Sequence, residues 1–408
     1  MRFLHTSDLH LGHRLCDRDR LDEHERLLDW LLNTAGEQHV DCIIIAGDIF
    51  DTSVPSNTAL RLYYRFLASM PRYGVQAALI IGGNHDSPSA LNAPRDLLEA
   101  LNIHVRGIVS PQPEDDVIVL TGKEGERIAC ALVPYLRERD IRSPKGGESV
   151  EERDLGIREG IRVRFAETRK ALVSAAADAS IVIGHLFTAG AETSGGERDL
   201  YVGNLGHIGT DILPSGASYT ALGHIHRAGE PGPGIRYSGA PLAMDFGDTG
   251  FKSVAVFDLP AISKDETASV EVIPVPAFRS LVRISGKAGD ILEEIARTGK
   301  ETAGSDSLGT WAEVRVEAAA ADPYLSSMIE EECSRAGIAL LRIHLEAPES
   351  DESGDSVKVP LEDVSPHEMF ALKCRHRAVE PDETLKLAFS ELLAEIEREG
   401  EEDNAGED

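Results

Sequence analysis

The chain has 408 residues, 42% hydrophobic and 27% charged, which is an ordinary globular composition with material for about two or three domain cores. Its net charge of −29 excludes a uniformly basic, DNA-coating surface but not DNA binding itself, since phosphate contacts come largely from Lys and Arg. Cys16, Cys42, Cys130, Cys333 and Cys374 are odd in number and lack CxxC spacing, no secretory leader is evident, and no run approaches the roughly 18 apolar residues of a membrane span, so a reduced, cytoplasmic protein without a membrane partner is expected.

In chain order, apolar runs alternate with amphipathic ones, the pattern of a layered α/β domain. Arg2 to Thr6, Cys42 to Ala46 and Ala77 to Ile81 read as buried strands. Between them, Leu21 to Ala35 and Thr58 to Met70 place their leucines and tyrosines on one helical face each. A strand pair follows (Val117 to Leu120, Ile128 to Val133), then a charged helix from Val150 to Ala176 and a strand from Ser180 to Ile183. Further strands end at Leu222, begin at Ile235 and cover Ser253 to Asp258. VIPVPAF, Val272 to Phe278, carries two prolines and reads as an interdomain linker. Beyond it, Leu281 to Ser285, Trp311 to Glu317 and Ile338 to Leu345 alternate as strands around helices at Ile291 to Ala296 and Tyr324 to Arg335, a small βαβαβ module read as ferredoxin-like. The acidic run Ala347 to Val359 has no apolar face, two short helices are expected at Pro366 to Cys374 and Asp382 to Ile396, and the acidic end reads as a frayed terminus.

The chemistry gathers at strand ends. LHTSDLHLGH, Leu4 to His13, packs an aspartate, three histidines and a glycine against the first strand. Asp8 and His10 lie two apart, so extended geometry would send both side chains to the same face. AGDIFD puts Asp48 past the second strand, and GGNHD puts Asn84 and His85 past the third. Later strands end in Gly184–His185 and in GHIH, where His224 and His226 repeat the i, i+2 spacing. Each piece alone is an ordinary turn or core residue, but their joint occurrence after apolar runs reads as a metal site. A His, Asp and Asn set suits manganese, iron or zinc, and a shared aspartate could bridge two ions. Two ions about 3.5–4 Å apart can clamp a phosphate and activate water, so phosphoester hydrolysis is the implied chemistry. His5, His13, His24, His39, His104, His207, His344, His367 and His376 lack this placement and read as structural or surface residues.

DxH, GDxxD, GNHD, GH and GHxH in succession resemble the calcineurin-like metallophosphoesterase superfamily. More closely, SDLHLG, AGDIFDT, GNHDS, GHLFTAGAETSGGERDLYVGN, ALGHIHRA and YSGAPLAMDFGD resemble the SbcD family, the bacterial branch of the Mre-type DNA repair nucleases. The resemblance implies a four-layer α/β/β/α sandwich over residues 1–273, a small α/β capping domain over 279–347 that positions DNA, an acidic linker over 348–364, partner-binding C-terminal helices over 365–398 and an acidic tail over 399–408. It implies one ion on Asp8, His10, Asp48 and His226 and a second on Asp48, Asn84, His185 and His224, most simply two Mn2+. His85 then faces the scissile phosphate, and Asp86 is structural. At Asp51 the chain departs from archaeal relatives, which carry a histidine there, and the carboxylate is expected to orient His85. The implied function is a nuclease that degrades double-stranded ends exonucleolytically and cleaves hairpin or single-stranded DNA endonucleolytically in repair, recombination and replication. It implies an SbcC-like, SMC-type coiled-coil ATPase as partner and a homodimer within a heterotetramer. The chain has no GxxxxGK[ST] phosphate loop, so ATP must act through that partner. The alternative is a stand-alone phosphodiesterase for nucleotides or other small phosphoesters.

Overall fold

A computed structural model describes residues 1–143, 147–188, 210–213, 216–248, 250–259, 268–302, 308–317 and 323–346, together with positions 370, 388 and 389. It divides into a compact unit Met1–Pro348 and a second unit Glu349–Asp408. The acidic linker, the acidic tail and nearly all of the two expected C-terminal helices lie outside the described residues. Within the second unit, Phe370 stacks on Phe389 with ring centroids 4.2 Å apart. Among the described residues no helix is long and apolar enough to cross a membrane.

The first unit opens with β1 (Arg2–Thr6), α1 (Leu21–Glu37), β2 (Cys42–Ala46), α2 (Asn57–Ser69), β3 (Ala77–Ile81) and β4 (Ile103–Arg106). It continues with β5 (Val117–Thr121), β6 (Arg127–Val133), α3 (Val150–Ser174), β7 (Ala179–His185) and β8 (Tyr219–Gly223). The strands β9 (Gly229–Gly232), β10 (Ile235–Tyr237), β11 (Ser253–Asp258) and β12 (Val270–Pro274) follow. Two six-stranded sheets result, in the orders β12-β11-β1-β2-β3-β4 and β9-β10-β8-β7-β6-β5. The site-bearing strands β1, β2 and β3 run parallel in the first sheet and β7 and β8 run parallel in the second, so all five end at one edge of their sheet.

Three apolar layers hold the two sheets and their helices together. Phe3, Ile44, Leu79 and Ile81 of the first sheet meet Cys130, Leu132, Ile181 and Ile183 of the second. Leu27, Leu31 and Phe66 of α1 and α2 cover Ile43, Ile45 and Ile80 on the first sheet's other face. Ile157, Ile161 and Phe165 of α3 cover Ala129, Ala131 and Val182 on the second. With both faces of each sheet covered, the central strands read as unbroken apolar runs, and the layering is the expected α/β/β/α sandwich. His5 is fully buried between the sheets, its Nδ1 3.0 Å from the Tyr219 hydroxyl, and burial pushes it down to about 3, so it serves as a core histidine.

Two readings change. The first half of VIPVPAF is not a linker but part of β12, which pairs antiparallel with β11 at the sheet edge; Pro274 is tolerated there because an edge strand has one unpaired side. The module after it, β13 (Ser280–Lys287), α4 (Ile291–Thr302), β14 (Thr310–Glu317), α5 (Pro323–Arg335) and β15 (Ile338–Glu346), is an all-parallel sheet in sequential order, not a ferredoxin-like one. Its helices cover one face through Ile291, Ile295, Leu325 and Ile329. On the other face Trp311 packs with Leu15 and Phe246, and Arg279 lies 4.0 Å over the Trp311 ring while bonding Asp22 at 2.7 Å, which fastens the module to α1.

Candidate metal centre

The five strand ends converge, but not by simple alternation of extended chain. Asp8, His10, Asp48 and His224 all have positive φ, at 52°, 42°, 46° and 98°. The chain after β1 coils through left-handed residues while its amides stay tied to the loop after β2: Asp8 N donates to Gly47 O and His10 N to Asp48 O, both at 3.0 Å. Asp8 and His10 therefore converge through paired left-handed turns rather than through a shared strand face. Each such residue costs about 1 kcal/mol or more, a cost tolerated where the surroundings over-determine the backbone. Two glycines allow the crowding. A side chain at Gly47, itself at φ +92°, would overlap the His185 ring, and one at Gly223 would overlap Ala46 O, where β8 closes on β2.

Two groups of ligand atoms face one another. Asp8, His10 and His226 form one and Asp48, His185 and His224 the other, the ligand atoms of each lying within 4.8 Å. Asp48 Oδ2 is 3.3 Å from His185 Nε2 and 3.7 Å from His10 Nε2, so one carboxylate oxygen reaches both. Asn84 Oδ1 lies 3.0 Å from His185 Nε2 and 3.0 Å from His224 Nδ1. All seven predicted ligand positions are thus brought together.

The donors fit a cation. His185 Nδ1 lies 2.8 Å from Ala46 O and must donate to it, which leaves Nε2 of the neutral ring with a lone pair. That lone pair faces the oxygens of Asp48 and Asn84, and His10 Nε2 lies 3.3 Å from His226 Nε2 beside them. Electron-rich atoms converging in a buried site require positive charge among them. In the protein alone that demand falls on protons. Burial disfavours a charged His185, but the Asp48 carboxylate outweighs it and raises the ring to about 9, while His185 in turn holds Asp48 well below the usual carboxylate range against its own burial. Burial, aided by His185 and His10 respectively, pushes His224 down to about 3 and His226 to about 2, so both are neutral and available as ligands near pH 7.

His85 stands beside this set, its ring centroid 4.9 Å from that of His10. Its amide donates to Asp48 Oδ1 at 2.9 Å, and its Nδ1 lies 2.7 Å from the Asp51 carbonyl oxygen, to which it donates. Nε2 is left as the atom that can give or take a proton. Asp51 thus orients His85 through its main chain, while its carboxylate lies 3.5 Å from His10 Nδ1. The buried Asp86 carboxylate accepts from the amides of Ile49, Phe50 and Gly83 at 3.1, 3.0 and 2.8 Å, bracing the loops after β2 and β3 against each other. Divalent ions held by the two groups would supply Lewis acidity toward a phosphate and lower the pKa of water.

Tyr135, just past β6, joins the centre without being marked by any of the motifs. Its ring lies 6.2 Å from His185 and 6.4 Å from His224, and Arg137 sits over it at 5.7 Å. The signal for it is the same strand-end placement, in ALVPYLR, but without a metal-binding residue type.

A family model described as calcineurin-like phosphoesterase matches residues 1–228. The chain is 35% identical over 302 residues to the SbcD component of the nuclease SbcCD from Escherichia coli (strain K12), covering 72% of this chain and 73% of the relative. It is 29% identical over 416 residues to the protein of that name in Bacillus subtilis (strain 168), covering 98% and 99% of the two chains. The Rhodobacter capsulatus protein of that name is 32% identical over 306 residues, covering 72% and 74%.

Proposed function

The chain belongs to the calcineurin-like phosphoesterase family and, within it, to the SbcD nucleases, and from that premise we propose that it is the metal-dependent DNA nuclease component of an SbcCD-type complex. It hydrolyses phosphodiesters at double-stranded ends exonucleolytically and opens hairpins and single strands endonucleolytically, in the cytoplasm, in DNA repair, recombination and replication. The observation that carries this reading is the pair of facing donor groups sharing Asp48. Asp8, His10, Asp48 and His226 would hold one ion, and Asp48, Asn84, His185 and His224 the other. His85, fixed by the Asp51 carbonyl, would use Nε2 to protonate the leaving oxygen or stabilise charge on the phosphate.

The partner is an SbcC-type coiled-coil ATPase, contacted through residues 365–398, with residues 1–273 as the nuclease domain and 279–347 as the cap over DNA. Two copies associate within a heterotetramer. The large exposure of Leu97, within the single turn Arg95–Glu99, and of Leu101 just after it, at 69% and 57%, supports an apolar contact between copies. A stand-alone phosphodiesterase for small phosphoesters would have no use for the segments beyond the centre.

The test is cleavage of hairpin DNA and of bis(p-nitrophenyl) phosphate by the full chain in manganese, with and without SbcC and ATP. Duplex-end degradation that requires SbcC and ATP is expected; efficient turnover of the small diester with no DNA cleavage under any condition would select the stand-alone reading. An imidazole-rich ligand set favours the softer ion, so manganese should support severalfold or greater turnover than magnesium at matched saturation. Equal rates would count against Mn2+ as the working ion.

A further inference from the structure

The candidate centre is rich in carboxylates, with Asp8, Asp48, Asp51 and Asp86 around one small volume, and DNA brings more negative charge to it. Nearby cations are mostly committed. Arg20 is locked to Glu23 by two bonds of 2.8 Å, and Lys252 Nζ is bound to Asp248 at 2.6 Å. Arg137 differs: among the described residues no carboxylate lies within ion-pair distance of its guanidinium. It is nonetheless fixed. Nη2 donates to the Asp86 carbonyl at 3.0 Å, one residue from His85, the guanidinium lies 5.7 Å from the centre of the Tyr135 ring, and its amide bonds Asp140 at 3.0 Å. One edge of the fork is thus used to hold the arginine in place, and the half-buried remainder of the group keeps donors for an incoming anion.

The Tyr135 ring lies beside both this guanidinium and the rings of His185 and His224. Among the described contacts the guanidinium bonds no ligand atom of the two donor groups, so its charge is free to meet a phosphate other than the scissile one. Resting on the nuclease reading above, we propose that Arg137 is a phosphate-binding residue for the phosphodiester adjacent to the scissile one, supported on Tyr135. It gives the centre a preference for polynucleotides over isolated diesters, because only a strand carries a second phosphate at that spacing.

The experiment uses the full chain in manganese and three probes: a thymidine dinucleotide with a single phosphodiester, and the same dinucleotide with an added 5′ or 3′ terminal phosphate. In the wild type one added phosphate should raise kcat/KM by about tenfold or more, the scale of a charge-assisted hydrogen bond. Arg137→Gln removes the charge; it should lose that gain while cleaving the plain dinucleotide at the wild-type rate with its full metal content. Arg137→Lys should retain part of the gain. Equal losses by Arg137→Gln on all three probes would mean that the arginine only braces the His85 turn, and would overturn the proposal, as would a wild type indifferent to both added phosphates. A wild type that degrades hairpin DNA but cleaves none of the three would overturn this inference and leave the nuclease reading standing, whereas one that also leaves hairpin DNA intact, with or without SbcC and ATP, would overturn both.

Discussion

Asp48→Ala is expected to strip both ions and reduce DNA cleavage to background. One oxygen of this carboxylate lies 3.3 Å from His185 Nε2 and 3.7 Å from His10 Nε2, so its removal takes the shared edge from both donor groups. Its other oxygen accepts the His85 amide, so the same substitution also loosens the group placed to act on the phosphate. Elemental analysis should show metal falling toward zero per chain alongside activity. A variant that keeps two ions would contradict the bridging role, because among the described residues no other carboxylate reaches both groups at these distances.

His85→Ala should separate the two quantities that Asp48→Ala destroys together. His85 is tied through its amide and Nδ1, and although its ring groups with His10 and Asp51, it lies outside both donor sets that share Asp48. Loss of a positioned proton donor costs about 10²–10⁴-fold in rate, so cleavage should fall by that factor while the metal content stays at the wild-type level. A drop in metal content equal to that of Asp48→Ala would move His85 into the coordination sphere.

The sandwich was legible because CIIIA and AALII, Cys42 to Ala46 and Ala77 to Ile81, are apolar runs of strand length bounded by the motifs themselves. IHVR, Ile103 to Arg106, was not: it alternates over only four residues and joins the sheet as an edge. Pro274 misleads in the other direction, since a proline that argues against a central strand is acceptable at an edge. The candidate ligand residues could be picked out one by one, yet the reason for their convergence could not. Extended chain predicts a shared face for Asp8 and His10, whereas left-handed φ at both, enforced by hydrogen bonds to Gly47 and Asp48, does the gathering. No alternation pattern encodes a contact between loops that follow different strands. Asp51 shows the same limit: its residue type suggests a carboxylate acting on His85, and it is the carbonyl that does so.

The left-handed backbone at Asp8, His10, Asp48 and His224 also sets terms for how this centre can decay. Asp, Asn and His are side chains that both coordinate divalent ions and enter that conformation at comparatively low cost, so coordination and backbone select from the same short alphabet. A lengthened ligand such as Glu keeps a carboxylate but shifts it by a methylene, and a β-branched residue meets a steric penalty before any chemistry is considered. A duplicated copy released from catalysis would therefore lose its ions first through Asp to Gly changes, which the backbone accepts. Its signature would remain half readable long after turnover had gone.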